Sequence, residues 1–346
     1  MRIVLDAMGS DNAPSVEVAG AVMASHDTDA EITLVGDEVA ITAELEQQDK
    51  HHNVQVVHAS EHITMDDAPP LAVRKKKDSS LLVALRRLKH GEADAVVSAG
   101  NTGAVVIASR AMVGALEGVS RAAICQALPT MTGSVSILDL GANVNCTARH
   151  LCEFAEMGIA YSHFALGVEE PRVGLLNIGE EALKGTHVAK EVHRSLTAAP
   201  HVNFIGNMEP KALYSGAADV AVCDGFIGNL FLKTSEAVAG FMGKMIREEF
   251  EGSSMSKIGA VLARNALKSL KRRADPNEYP GAPLLGINGL VIILHGSVTA
   301  KGVANAIHGT IVAHDNKLND HIQENIQELR VLEQAAPECK HAAEQA

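Results

Sequence analysis

Seven short segments, rich in glycine and in uncharged polar residues, follow apolar runs of this chain. They begin at Asp6, Ser98, Asp139, Asn177, Ile205, Asp224 and His295. Glycines let backbone N–H groups approach a ligand closely, and Asn, Ser and Thr add uncharged hydrogen-bond donors. Where such a segment opens a helix, the helix dipole also favours an anion. A single segment of this kind is usually an ordinary turn, but seven in one chain predict a site for a phosphate-type anion.

The candidate phosphate or substrate ligands all belong to these segments. They are Gly9, Ser98, Gly100, Asn101, Thr102, Gly103, Asn143, Asn177, Gly179, Gly206, Asn207, Gly225, Gly228 and Ser297. Asn101 and Thr102 stand where a helix should start, so a simple N-cap is the alternative role for both. No segment matches GxxxxGK[ST] or a well-formed GxGxxG after a strand, so neither a nucleotide P-loop nor a dinucleotide fingerprint is supported.

Composition excludes several classes of protein. The chain has 346 residues, a formal net charge of -12, 3% aromatic residues and no Trp, which argues against nucleic acid as a partner. The five cysteines form no CxxC pair and no Cys/His spacing typical of zinc, so reduced thiols and no metal are expected. The N-terminus does not resemble a signal peptide, and no apolar run is long enough to span a membrane. These features predict a cytoplasmic protein without a metal or an organic cofactor.

Short apolar runs alternate with amphipathic stretches along the chain. The predicted strands are Arg2–Asp6, Glu31–Val35, Val54–Val57, Ala95–Ser98, Ser134–Leu138, Arg172–Leu176, Val202–Ile205, Val220–Cys223 and Leu290–Leu294. Predicted helices include Val16–Ser25, Leu71–Lys89, Gly103–Ala115 and His150–Ala165. This alternation predicts an α/β fold with a mostly parallel, doubly wound sheet. Ligands of such sheets bind beyond the carboxyl ends of the strands, where the glycine-rich segments lie.

No repeat and no linker divides the chain, so residues 1–346 are expected to form one catalytic unit. Residues 240–275 interrupt the alternation, because they contain two helical stretches with no strand between them. We expect this segment to be a helical hairpin that protrudes from the sheet and contacts a partner or a membrane.

Seven motifs, in order, resemble those of the PlsX-type phosphate acyltransferases. They read DAMGSDNAP, VSAGNTGA, LDLGAN, LLNIGEEALKG, FIGNMEP, DVAVCDGFIGNLFLKTSE and LLGINGLVIILHGS, and they cover the chain from Arg2 to about Ile311. Two departures are visible. Ser10 stands where the family usually has a second glycine, and Ala122 follows Arg121 where the family usually has proline.

The resemblance implies reversible transfer of a long-chain acyl group from the thioester of acyl carrier protein to inorganic phosphate. The product, acyl phosphate, enters phospholipid synthesis. It also implies a three-layer αβα sandwich like that of phosphate acetyltransferases and isocitrate-dehydrogenase-like enzymes. A homodimer, peripheral contact with the inner face of the membrane and coupling to a membrane glycerol-3-phosphate acyltransferase are further expectations.

This reaction needs orientation and oxyanion stabilisation more than a strong base, because phosphate is already a nucleophile at neutral pH. Lys184 is the candidate cation, its alternatives being a solvated lysine at the start of a helix or one paired with Glu180 or Glu181. Asn229 is the candidate amide donor to the oxyanion, although Asn also suits a left-handed turn. His295 could protonate the leaving thiolate or donate to phosphate, and a structural histidine is an equal alternative.

Three acids lie at strand ends, namely Asp6, Glu209 and Asp224. Because an acid facing phosphate would be unfavourable, we expect them to position other groups from behind the site. Cys146 could instead carry the acyl group covalently, but cysteines are commonly inert small hydrophobes.

Acyl carrier protein is acidic, so its docking site should be basic. One candidate patch contains Arg74, Lys75 and Lys76. The other contains Lys257, Arg264, Lys268, Lys271 and Arg272, with apolar residues at helical spacing between them. A basic amphipathic helix of this kind can also lie on anionic lipid, or it can pack in a dimer interface. A phosphate acetyltransferase-like enzyme using an acyl-coenzyme A, and a non-enzymatic membrane-surface scaffold, remain the alternative functions.

Overall fold

A computed structural model describes residues 1–48 and 52–335. Its strands are β1 (Arg2–Asp6), β2 (Glu31–Gly36), β3 (Val54–His58), β4 (Ala95–Ser98), β5 (Ala123–Pro129), β6 (Ser134–Leu138), β7 (Val173–Leu176), β8 (Phe204–Met208), β9 (Val220–Val222), β10 (Ala282–Leu285) and β11 (Leu290–Ile293). Its α-helices are α1 (Ser15–Ser25), α2 (Glu38–Leu45), α3 (Pro69–Lys75), α4 (Ser80–Lys89), α5 (Thr102–Met112), α6 (Ala148–Phe164), α7 (His187–Thr197), α8 (Pro210–Ser215), α9 (Gly225–Glu251), α10 (Ser254–Leu262), α11 (Arg264–Ala274), α12 (Ala300–Asp315) and α13 (Leu318–Ala335).

All described strands form one sheet in the order β3-β2-β1-β4-β11-β10-β5-β6-β9-β7-β8. Helices cover both faces, as residues of β1 show: Ile3 and Leu5 pack into one core cluster, whereas Val4 between them packs into another on the opposite face. The predicted α/β fold with a mostly parallel sheet between helical layers is confirmed.

The sheet reverses direction in its middle. Strands β1, β2, β3, β4 and β11 are parallel to one another, and β6, β7, β8 and β9 form a second parallel set. Antiparallel pairing of β10 with β11, of β10 with β5, and of β5 with β6 joins the two sets in opposite senses. The carboxyl ends of the two sets therefore lie at opposite edges of the sheet. This separates the glycine-rich segments into two groups, which the sequence pattern had placed together.

Several boundaries differ from the predicted ones. The helix predicted over Leu71–Lys89 is two helices, because the backbone leaves helical geometry at Lys76 and restarts after Ser79. The strand predicted over Val202–Ile205 is displaced to Phe204–Met208, so Gly206 and Asn207 lie within a strand and not after it. The helical segment predicted to begin at residue 240 begins at Gly225, because α9 is one continuous helix of 27 residues.

Candidate active site

A large apolar pocket opens at the carboxyl ends of β6, β7 and β9. Its volume is about 1160 Å³, slightly above the ~300–1,000 Å³ range of ligand pockets. Its lining is Val144, Asn145, Cys146, Leu151, Leu175, Leu176, Asn177, Ile178, Gly185, Thr186, Val188, Ala189, Pro210, Tyr214, Cys223, Asp224, Ile227, Leu230, Phe231, Thr234, Ser235, Val238 and Ala239. Leu175 and Cys223 are buried at its base, whereas Ile178 at its rim is 80% exposed. The pocket can therefore take a long apolar group from solvent.

One wall of the pocket is α9, which approaches the end of β6 very closely. A Cβ at Gly228 would lie 1.9 Å from the carbonyl oxygen of Asp139, so only glycine allows this packing. Asp224 caps α9 by accepting a hydrogen bond from the Ile227 N–H at 2.8 Å. Gly225 and Gly228 therefore position the helix, and Asp224 caps its first turn.

The turn after β6 is held by the buried carboxylate of Asp139. It accepts hydrogen bonds from the backbone N–H groups of Ile124, Gly141, Ala142 and Asn143. Burial raises the pKa of Asp139, and hydrogen bonds from Asn143 and from the backbone oppose that rise. The side-chain amide of Asn143 donates to the Ala122 carbonyl at 2.7 Å and to Asp139 at 2.9 Å. Asn143, predicted to bind phosphate, is thus a buried structural residue.

The loop from residue 177 to residue 186 forms the rim that carries Lys184. The side chain of Asn177 ties this loop together, donating to the Lys184 carbonyl at 3.3 Å and accepting from the Ile178 N–H at 2.8 Å. The Lys184 ammonium group is half-exposed and lies 3.9 Å from Glu181 Oε1, a distance that leaves it available to an anion. Lys184 does not start a helix, because α7 begins three residues later.

Three further candidates lie around this edge. Asn229 is exposed in the first turn of α9, where its side chain faces Gly141, so it is a helical residue and not a left-handed turn. Asn207 is buried and donates to the Glu181 carbonyl at 2.8 Å, holding the Lys184 loop from below. Glu209 precedes α8 and lies 4.0 Å from the Lys211 ammonium group.

The other group of glycine-rich segments lies at the ends of β1, β4 and β11. Ser98 donates to the buried Asp6 carboxylate at 2.7 Å and accepts from the Gly100 N–H at 3.1 Å. A Cβ at Gly9 would lie 2.6 Å from the Gly100 nitrogen, so these two loops are packed backbone to backbone. Burial raises the pKa of Asp6, while hydrogen bonds from Ser80 and Ser98 oppose that rise.

Asn101 is an N-cap rather than a free phosphate donor. Its Oδ1 accepts from the Ala104 N–H at 3.2 Å, and its Nδ2 donates to the carbonyls of Thr64, Met65 and Asp67. Both ends of the amide are used to cap α5 and to hold the preceding loop. The alternative role given above for Asn101 is therefore the one observed.

His295 belongs to this second group as well. Its Nδ1 accepts from the Ser297 N–H at 3.2 Å, and the Ser297 hydroxyl lies 2.8 Å from the same nitrogen. Because β11 runs opposite to β6, β7 and β9, His295 and Ser297 lie at the other edge of the sheet from Lys184 and Asn229. The three predicted catalytic residues do not converge within one chain.

Cys146 lines the pocket but is a poor nucleophile. Burial, with the charges of Asp139 and Asp224, raises the pKa of its thiol to about 11, and Arg121 only partly opposes the rise. The thiol donates a weak hydrogen bond to the Asn143 carbonyl at 3.5 Å. At neutral pH almost no thiolate is present, which argues against the covalent alternative.

The two predicted basic patches differ in how free their charges are. Arg74 and Lys75 are exposed, but Lys76 is paired with Asp67 at 2.5 Å. On α10 and α11 the predicted basic residues Lys257, Arg264, Lys268 and Arg272 are exposed, as is Arg273, and the side chain of Lys271 lies outside the described residues. Across residues 1–48 and 52–335, no helix is long and apolar enough to cross a membrane, and no His/Cys/Asp/Glu group is arranged to hold a metal ion.

Sequence reasoning missed the apolar lining of the pocket. Ile227, Leu230, Phe231, Thr234 and Val238 follow one another at helical spacing on α9 and are mostly exposed. The same spacing is visible in the sequence, but an apolar stripe on a helix normally indicates core packing. Only the fold shows that this stripe faces a pocket.

Comparison with solved structures agrees with the architecture. A phosphotransacetylase from Streptococcus pyogenes superposes with a TM-score of 0.58 at 16% identity, covering 91% of this chain and 93% of that one. A phosphotransacetylase from Staphylococcus aureus gives a TM-score of 0.56, also at 16% identity, covering 91% and 94%. At these identities the likeness establishes a shared fold.

Known protein sequences are more similar to this chain than these solved structures are. A family model described as fatty acid synthesis protein matches residues 1–321. The phosphate acyltransferase of Geobacter sp. (strain M21) is 48% identical over 308 residues, covering 89% of this chain and 87% of the relative. That of Pelotomaculum thermopropionicum is 45% identical over 331 residues, covering 96% of each. The resemblance to the PlsX-type family is confirmed: the chain belongs to the fatty acid synthesis protein family and is an acyltransferase.

Proposed function

We propose that this enzyme transfers a long-chain acyl group from the thioester of acyl carrier protein to inorganic phosphate, giving acyl phosphate for phospholipid synthesis. The pocket of about 1160 Å³ at the ends of β6, β7 and β9 is the observation that carries this proposal. Its lining is mostly apolar, and its rim holds the Lys184 loop and the N-termini of α7 and α9. An acyl chain fits the apolar interior, and an anion fits the rim.

In this reaction a phosphate oxygen attacks the thioester carbonyl. A C–O bond forms and the C–S bond breaks, and the departing thiolate is protonated, through solvent, by the proton that the hydrogen phosphate carried. No strong base is needed, so orientation and stabilisation of the oxyanion supply the rate enhancement. Lys184 offers the positive charge, and the Asn229 amide, in the first turn of α9, offers an uncharged donor. His295 takes no part within one chain, because it lies at the other edge of the sheet.

The helical segment α9–α11 supports the expectations of a dimer and of membrane contact. Its exposed apolar side chains include Phe241, Met242, Met245, Met255, Ile258, Val261 and Leu262. They extend the pocket's apolar rim along α9 and onto α10, next to the basic residues of α10 and α11. Such a surface suits a second copy of the chain together with an anionic membrane at the tip. The proposed setting is the inner face of the membrane, beside a glycerol-3-phosphate acyltransferase that consumes the product.

The reaction can be tested with purified protein, palmitoyl-acyl carrier protein and phosphate. Free carrier thiol and hydroxylamine-trapped acyl phosphate are measured together. We expect both to appear in equal amounts and only when phosphate is present. Thiol release without acyl phosphate would instead indicate a hydrolase, turnover only with acyl-coenzyme A would indicate the acetyltransferase-like alternative, and no turnover would indicate a scaffold.

A further inference from the structure

Three arginines lie close to His150, one of them in contact with the pocket wall, and neither predicted basic patch includes them. Arg121 donates from Nη1 to the main-chain oxygen of Asn145 at 3.2 Å, and Asn145 lines the pocket. Arg149, in the first turn of α6, donates from Nε to Glu153 at 3.0 Å. Arg110 is exposed in the last turn of α5. The position of Arg121 connects this basic group directly to the rim of the pocket.

Hydrogen bonds fix the arrangement of Arg121 and Arg149. Ser120, the residue before Arg121, donates to Glu153 from its N–H at 2.9 Å and from its hydroxyl at 2.7 Å. The same carboxylate accepts from Arg149, so Glu153 holds the two arginine-bearing segments together. Glu153 is 2% exposed, and it leaves Arg149 47% exposed to solvent. Arg149 therefore presents its positive charge to solvent, while the Glu153 carboxylate that orients it is buried.

The electrostatics around His150 support the same picture. Burial lowers the pKa of His150, and the charges of Arg121, Arg149 and Arg110 lower it further, while Glu153 opposes them. Three guanidinium groups thus act on one imidazole at the positive end of the 17-residue helix α6. His150 Nδ1 accepts from the Thr147 N–H at 3.1 Å, so the imidazole is committed to capping that helix. The local field is positive although the whole chain is acidic.

We propose that Arg121 and Arg149, flanked by Arg110, form a subsite for a phosphate-type anion at the rim of the apolar pocket. Guanidinium groups bind phosphate oxygens in a two-pronged geometry that a lysine cannot reproduce. Arg121 uses one N–H on Asn145 and has further N–H groups to donate. The inference deepens the proposed function, on which it rests. The anion is either the phosphate substrate or the phosphate group on the pantetheine arm of the acyl donor, because both carry the same chemistry.

Direct binding separates these two sources without relying on turnover. The affinity of the wild-type protein and of Arg121→Ala and Arg121→Lys variants is measured by calorimetry for inorganic phosphate, for phosphopantetheine and for pantetheine. Arg194→Ala, an exposed arginine in the last turn of α7, is the matched control. Circular dichroism and the thermal midpoint show whether each variant is folded.

If the subsite binds the phosphate substrate, Arg121→Ala weakens the affinity for inorganic phosphate about 10- to 100-fold. Arg121→Lys keeps only part of the wild-type affinity. If it binds the donor arm, Arg121→Ala removes the preference for phosphopantetheine over pantetheine by a similar factor and leaves inorganic phosphate unchanged. A folded Arg121→Ala protein with unchanged affinity for both phosphate compounds would overturn the proposal. If the wild-type protein showed no turnover, that result would contradict the proposed function but not the anion subsite, which is measured by binding.

Discussion

At the scale of single residues, the glycine-rich segments contain two kinds of polar side chain. One kind makes its hydrogen bonds within the protein and fixes the shape of the loops, as the side chains of Ser98, Asn101 and Asn143 do. Lys184 and Asn229 are exposed next to residues that line the pocket, and the Lys184 ammonium group lies 3.9 Å from Glu181 Oε1. The sequence could predict that these residues cluster at strand ends. It could not predict which of these side chains already have their hydrogen-bonding groups paired, because the partners can lie far away in the sequence.

Removal of the Lys184 charge is the first test at this scale. We expect Lys184→Ala to lower kcat/KM for phosphate about 10²- to 10³-fold, because an electrostatic contact to the reacting oxyanion is lost. Lys190→Ala, on the exposed surface of α7, should leave the rate within twofold. Steady-state kinetics with phosphate as the varied substrate would measure both. Equal rates for the two variants would remove Lys184 from the site.

Glu17 gives a second prediction, about stability and pH. It is fully buried, its Oε1 accepts from the Ser10 N–H at 2.9 Å, and its Oε2 has no partner. Burial raises its pKa from 4.5 to about 7. Because the folded state holds the proton more tightly than the unfolded state, stability should fall as pH rises from about 4.5 to about 7 and level off above that.

Glu17→Gln keeps the acceptor for Ser10 and removes the charge. We expect it to stabilise the protein at pH 8 by about 2 kcal/mol and to flatten this part of the pH dependence. Urea unfolding at several pH values measures the effect, with the exposed Glu38→Gln as control. A Glu17→Gln variant that is less stable at pH 8 would show that the carboxylate is favourably bound in the folded state.

The departure from the family at Ser10 is accommodated without strain. The backbone of Ser10 does not adopt a positive φ. Its hydroxyl accepts a hydrogen bond from the Asn12 N–H at 3.3 Å. The family glycine is therefore not required at this position for backbone geometry. The loop keeps its shape through the Ser10 N–H bond to Glu17.

At the scale of elements, apolar strands buried on both faces were predicted well. The bounds of β1, β4 and β6 coincide with the predicted ones. Strands β5 and β10 were missed, and they carry the reversal of the sheet. β5 ends at Pro129 and β10 contains Pro283. Proline in an apolar run normally argues against assigning a strand in the interior of a sheet. Without them, all strands were expected to point the same way.

The sequence predicted that a helical segment begins at residue 240, but α9 is continuous from Gly225. Its first half lines the pocket and its second half is exposed, and a change of environment within one helix does not interrupt helical spacing. The part of α9 that lines the pocket and the part after residue 240 therefore belong to one continuous helix.

Narrowing the pocket from α9 tests the assignment of the acyl chain. Thr234→Trp should shift the preferred acyl length to shorter chains. Each methylene that no longer fits costs about 0.8 kcal/mol, so two methylenes change relative kcat/KM about tenfold. Rates with C10, C12, C14 and C16 donors are compared. Lys233→Trp, whose side chain does not line the pocket, should keep the wild-type preference, and an equal shift in both variants would contradict the assignment.

At the scale of the whole molecule, a histidine at the surface links the segment after α7 to acids of α6 and α13. His201, which follows α7, lies 2.8 Å from the fully buried Glu156 on α6 and 4.0 Å from Glu328 on α13. The hydrogen bond that the protonated His201 imidazole donates to the Glu156 carboxylate raises the pKa of His201 above 6.5. Burial raises the pKa of Glu156, and His201 opposes that rise.

Both shifts make the folded state bind protons more tightly than the unfolded state. The stabilisation from His201 is complete below pH 6.5 and is lost as pH rises through its raised pKa. We expect the thermal midpoint to fall between pH 6 and pH 9 and the double variant Glu156→Gln/His201→Gln to show a smaller fall. Thermal unfolding at constant ionic strength measures this. A double variant with the full wild-type slope would exclude the pair as its source.

The reversal of the sheet gives the molecule two edges with glycine-rich loops, and we propose that the acyl chain binds at only one of them. Photo-crosslinking tests this most directly. Acyl carrier protein carrying a palmitoyl chain with a terminal diazirine is bound and irradiated, and the labelled peptides are identified by mass spectrometry. We expect label on residues 175–189 and 223–239, and we expect unmodified palmitoyl-acyl carrier protein to reduce it by competition. Label concentrated around Gly9, Asn101 and His295 would contradict it.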